Sequence, residues 1–152
     1  MKKVLFAALT LIAVGLVYAF MPNTEANAPS KTTVSATEGA INWMTWDEAI
    51  KANEKAPKKI FIDFYTDWCG WCKKMDKSTF SDADVAAYVN KNFYAVKFNA
   101  EQKEDVVFNG TTFSWKSGGR NGVHMLAYEL LSGRLGYPSY VYLQPNYERI
   151  LI

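Results

Sequence analysis

The chain has 152 residues, 49% hydrophobic and 15% aromatic, with a formal net charge of +2. That length holds one domain, and that apolar fraction supplies a packed core. No long run of one charge sign marks a nucleic-acid footprint, so nucleic acid is not an expected partner. The only cysteines are Cys69 and Cys72, too few for the disulfide framework that staples small secreted domains.

Residues 1–28 read as an export segment. Lys2 and Lys3 precede an uncharged run from Val4 to Phe20, and Ala26-Asn27-Ala28 suits a signal peptidase. Pro29 is unfavourable just after such a cut, and the apolar run approaches the span of a bilayer. A cleaved signal and a membrane anchor through residues 4–20 therefore both stand, and either places the domain outside the cytoplasm. Residues 29–40 are polar and read as a flexible linker. The domain is expected over 41–152, with little net charge to steer partners.

Thr45-Trp46-Asp47-Glu48 has capping-box spacing and predicts a helix to about Lys55, ended by Pro57. Lys59–Tyr65 is apolar on both faces, as a central strand is. A helix follows from the cysteines to about Lys77. Ser81 to Asp84 has capping-box spacing and predicts a short helix to Asn90, then a strand over 93–99. Val106 to Phe113 reads as a hairpin about Asn109-Gly110. Val123–Leu131 has helical periodicity, with Gly133 as the C′ residue. Strands over 139–143 and 147–152 close the chain. The order predicts an α/β fold with a mixed central sheet flanked by helices.

The chemistry centres on Trp68-Cys69-Gly70-Trp71-Cys72-Lys73. A strand running into Cys-x-x-Cys at a helix N-terminus suits reversible dithiol chemistry, because unpaired N–H groups there favour a thiolate. Cys69 is then an exposed nucleophile of lowered pKa, and Cys72, one turn on and more buried, resolves the mixed disulfide. A zinc site wants more ligands than two cysteines and a distant His124, and a structural disulfide closing so short a loop removes little chain entropy. Asp63 in the central strand is costly to bury, so its pKa should rise and make it a proton acceptor for Cys72. The plainer reading is a strand-edge Asp paired to a lysine. Lys97 is its natural partner, or else a solvated residue. Trp68 and Trp71, beside Gly70, would form a docking surface. Trp43, Trp46 and Trp115 are expected in the core, and His124 as a surface or packing residue.

These features together resemble the thioredoxin superfamily: Asp63 six residues before Cys69, Trp68-Cys-Gly-x-Cys-Lys73, Lys97 in the next strand, and Tyr137-Pro138 before a strand. The stretch from Cys72 to Asp84 is similar to exported thioredoxin-like proteins and to the electron-donor domain of periplasmic thiol:disulfide interchange proteins. The resemblance implies a thioredoxin-like fold, a cis-proline at Pro138, and a substrate strand held by the Tyr137 backbone. It also implies protein thiols and disulfides as substrates, no cofactor beyond the Cys69–Cys72 dithiol, no metal, and a membrane electron-delivery protein as partner. Three departures stand out. Trp71 replaces the motif's proline, Lys77 replaces the proline that kinks the active-site helix, and the chain stops at Ile152 where the family continues into a last helix. The segment over 102–122 is longer than in thioredoxin and is placed to shape partner choice. No charge lies between the cysteines, which favours a reductase or an isomerase-feeding electron donor over an oxidase. A thiol oxidase of the same fold and a chaperone-like binding module remain as alternatives.

Overall fold

The protein is described here from a computed structural model covering residues 40–150. The expected export segment, nearly all of the linker and the last two residues lie outside the described residues. Among the described residues, no helix is long and apolar enough to cross a membrane.

Strand β1 (Trp43–Met44) leads into helix α1 (Trp46–Lys55), capped as expected: Thr45 accepts from the Glu48 amide, and Glu48 reaches back to the Thr45 backbone. Ala56, before Pro57, is extended, as the steric bulk of proline demands of its predecessor. Strand β2 (Lys59–Tyr65) follows, then α2 (Gly70–Lys77), a 3-10 turn (Thr79–Ser81), α3 (Ala83–Asn92) and β3 (Phe93–Asn99).

The second cap is shifted by one residue from the expected box. Asp82, not Ser81, caps α3, its carboxylate accepting from the amides of Asp84 and Val85 at 3.0 Å. Ser81 is taken up in the 3-10 turn and donates its hydroxyl to the Ser78 carbonyl.

Strands β4 (Val106–Phe108) and β5 (Thr111–Phe113) form the expected hairpin, with Asn109 and Gly110 both at positive φ, as its two-residue turn requires. Strand β6 (Trp115–Lys116) pairs with β7 (Val123–His124), and α4 spans Met125–Leu130. The last helix thus starts two residues later than its periodicity predicted. Val123 and His124 are spent on the β6 pairing, and His124 Nδ1 accepts from the Leu126 amide as the cap. His124 is fully buried against Phe98, and burial holds its pKa below the ordinary value. It is a packing and capping histidine. Strands β8 (Ser139–Leu143) and β9 (Arg149–Ile150) complete the sheet.

The sheet order is β1-β3-β2-β8-β9. The first three strands are parallel, while β8 runs antiparallel to both β2 and β9. Strand β2 is therefore central, as its apolar run required. Its period of two divides the molecule. Ile60, Ile62 and Phe64 face a core with Trp46, Leu126 and Leu130, while Phe61 faces the opposite layer with Phe80, Ala86 and Val89. Each fully buried Phe or Ile contributes roughly 1.5–3 kcal/mol from lost water contact. Asp63 shares the Phe61 side, the layer that carries α2 and α3. Trp46 is in the core as expected, whereas Trp43 and Trp115 are only half-buried at its margins.

Candidate functional site: a disulfide and a buried carboxylate

Strand β2 ends at Tyr65, and the Cys69 amide donates to the Thr66 carbonyl at 3.1 Å, turning the chain sharply into α2. Cys69 is the N-cap of α2, and its sulfur faces the Cys72 amide at 3.0 Å. The two cysteines are joined as a disulfide, with Cα atoms 5.3 Å apart.

The expected exposure of Cys69 is not what the structure shows. Cys69 is only 3% exposed, scarcely more than Cys72 at 2%. The cause is the capping geometry: the sulfur is folded over the helix terminus and bonded to Cys72, so little of it meets solvent. The exposed surface belongs instead to the flanking residues, Trp68 at 61% and Trp71 at 66%. Lys74 lies over the Trp71 ring, 4.7 Å from its centroid, bracing it from the next turn. At Gly70 an added Cβ would meet nothing within 4 Å, so the face beside the disulfide is open.

The same strand and helix also carry a charged cluster. Asp63 pairs in register with Lys97 on β3, and Lys97 Nζ donates to Asp63 Oδ2 at 2.6 Å. Asp63 is 1% exposed, and its Oδ1 has no hydrogen-bond partner among the described residues. Burial pushes the Asp63 pKa up, against the pull of the Lys97 ammonium. Lys97 also bonds Asp76 on α2. Burial disfavours the Lys97 charge, but the two carboxylates outweigh it and hold its pKa above the ordinary value. Tyr140, opposite Asp63 on β8, is pushed up to about 12 by burial and by the charges of Asp63 and Asp76.

Sequence reading missed Asp76. Its signal was available: it lies one helical turn past the buried Cys72, on the same side of α2, with its side chain still 42% exposed.

This cluster makes a prediction. Lys97→Met leaves the buried Asp63 carboxylate without its cation, so stability at pH 8 should fall by about 3 kcal/mol. The loss should be smaller at pH 5, where Asp63 escapes the penalty by binding a proton. Adding Asp63→Asn should restore most of the stability at pH 8. Urea midpoints at the two pH values measure all three effects.

The Tyr137–Pro138 bond is cis. The Tyr137 ring meets Trp68 edge-on at 6.2 Å, which brings the residue before the cis-proline to the residue before Cys69 from sixty-nine positions away. Trp68 Nε1 donates to Glu101 Oε1 at 2.8 Å. Glu101 gave no signal in the sequence, because the contact joins the C-terminal ends of β2 and β3 across distant parts of the chain.

Comparisons with known proteins agree with this architecture. The chain is 26% identical to spermatogenesis-associated protein 20 of Rattus norvegicus over 70% of its length. A shorter stretch, 27% of this chain and 7% of the relative, is 46% identical to thiol:disulfide interchange protein DsbD of Ralstonia nicotianae. The chain spans only 12–13% of the length of the relatives matched along most of its domain. Among solved structures, a protein described as a putative disulphide-isomerase from Bacteroides thetaiotaomicron superposes with a TM-score of 0.50 at 26% identity. That match covers 75% of this chain and 79% of the other. The fold is thioredoxin-like. Residues 22–152 match the family described as Thioredox_DsbH, protein of unknown function DUF255, and on that extent of agreement the chain belongs to it.

Proposed function

We propose that this domain is an exported thiol:disulfide oxidoreductase that reduces protein disulfides through the Cys69–Cys72 pair. The observation that carries the reading is the redox pair at the N-terminus of α2, on the same central-strand connection as a buried carboxylate of raised pKa. In the reduced protein the Cys69 thiolate attacks a substrate disulfide. One substrate thiolate leaves, and a mixed disulfide forms. Cys72 passes its proton to Asp63 and attacks the Cys69 sulfur, which releases the second substrate thiolate and closes the protein disulfide. Two electrons have moved to the substrate. Lys97 and Asp76 hold the Asp63 carboxylate in place, and Trp68, Gly70, Trp71, Tyr137 and Pro138 form the surface that receives the substrate chain.

Gly70 and Trp71 bring no cation to the thiolate, and Asp63 opposes a very low Cys69 pKa when ionised. Both favour reduction over oxidation. A reductant in an oxidising compartment needs recharging, so a membrane electron-delivery protein is the expected donor. The 46% identity of a 41-residue stretch to a thiol:disulfide interchange protein supports that assignment. The test is an equilibrium titration of the pair against defined thiol/disulfide buffers, read by thiol alkylation and mass. A potential around −270 mV supports a reductant. One near −120 mV would make the protein a thiol oxidase instead.

A further inference from the structure

A groove of about 700 Å³ opens beside Trp68, the residue before Cys69, and the proposed reduction chemistry leaves it unexplained. Trp68 and Tyr137 form the wall nearest the cysteines, Tyr128 and Leu135 add apolar surface, and the glycine-rich turn Gly118–Gly122 closes the far side.

The groove is built rather than incidental. The Gly122 amide donates to the Gly118 carbonyl at 2.7 Å, which closes the turn. Gly122 has φ +74, and a Cβ there would lie 2.3 Å from the Trp115 ring, so only glycine lets the turn seat against that ring. Glu101 ties the two walls together. Its Oε1 accepts from Trp68 Nε1 at 2.8 Å and from Asn121 Nδ2 at 3.1 Å. Those bonds occupy the carboxylate; aromatic and leucine surface lines the opening, with Arg120 the charged residue of the turn. Leu135, with no such bond to make, is 43% exposed.

We propose that this groove is a subsite for an apolar side chain, of phenylalanine or leucine size, carried by the extended polypeptide that flanks a substrate's cysteine. The inference rests on the oxidoreductase reading above, which places the substrate chain along Trp68 and Tyr137. The groove is continuous with that strip through the same two residues. Alternate side chains of an extended chain point the same way, so a residue two positions from the substrate cysteine shares its face. Glu101 is the positioning residue. It fixes the Trp68 ring as the wall shared by the cysteine strip and the subsite, and it anchors the turn opposite.

The test uses the reduced full-length protein in single turnovers. The substrates are peptides with one cysteine in mixed disulfide with 2-mercaptoethanol, carrying either Phe or Ala two residues to each side. The Phe peptide should half-saturate at a concentration about tenfold lower, the expected gain from burying a large apolar side chain. Leu135→Asp should bring the two peptides to equal half-saturation, and Tyr128→Ala should narrow the difference, giving a second readout should the first variant fold poorly. Equal half-saturation in the wild type, or a preference surviving both variants, would overturn the subsite. The same peptides with serine in place of cysteine, titrated onto the oxidised protein by tryptophan fluorescence, separate the two readings. Phe-dependent binding lost in the variants, without turnover of any disulfide, supports the groove and overturns the oxidoreductase reading.

Discussion

Cys69→Ser should abolish disulfide reduction, with turnover below about one-thousandth of wild type, because a serine hydroxyl at neutral pH cannot replace a thiolate as nucleophile. Cys72→Ser should behave differently. The nucleophile remains, but nothing resolves the adduct, so a covalent mixed disulfide with substrate should accumulate and be visible as a mass shift that thiol reductants reverse. The asymmetry is the informative part. Both thiols are buried in the disulfide state, so exposure does not distinguish them. The capping position does: Cys69 precedes the helix and its sulfur accepts from the Cys72 amide at the helix N-terminus, whereas Cys72 sits within the first turn. An adduct in Cys69→Ser and none in Cys72→Ser would reverse the assignment. Full function in the double variant would favour a binding module built on this fold.

Asp63→Asn should lower activity and raise stability together. As the proton acceptor for Cys72, Asp63 should account for about 10²-fold in the rate of mixed-disulfide resolution. Its raised pKa means that wild-type resolution should climb with pH as the carboxyl ionises, and the variant should lose that limb. The stability effect follows from linkage. The folded state holds the Asp63 proton more tightly than the unfolded chain, so this group's contribution is full below the ordinary carboxylate pKa and is lost as pH rises through the folded value. The wild type therefore bears a penalty at pH 8 that Asn does not. The variant should be more stable there by about 1–2 kcal/mol, a common size for relief of functional strain. The advantage should vanish near pH 4. Mixed-disulfide decay and urea midpoints across that range decide it. A stabilised variant with an unchanged decay rate would reduce Asp63 to a structural partner of Lys97.

Much of this was legible before any coordinates. Strand β2 announced its central position by being apolar on both faces, and an acid within it could be flagged from cost alone. The capping box at Thr45 and the Asn109-Gly110 hairpin are local patterns, settled by residues within one or two turns of each other, and they survive folding unchanged. Where local signals compete, the outcome was less legible. Ser81 has the spacing of a cap, but the 3-10 turn takes it up and Asp82 caps α3 instead. The periodicity over 123–131 overran the helix start, because β6 claims Val123 and His124 for a ladder that no local pattern announces.

The sequence by itself determined where the candidate groups stand: two cysteines one helical turn apart after an apolar strand, with an acid in that strand and a lysine in the next. These depend on spacing along single elements, which the backbone periods of helix and strand dictate. Only the tertiary structure decided how that chemistry is housed. It folds the Cys69 sulfur inward, brings Asp76 to Lys97 beneath the helix, and joins Trp68 to Tyr137 and Glu101 into the wall of a groove. Those contacts join residues up to sixty-nine positions apart, and they form only when strand order and the loops at the strand ends bring those positions together.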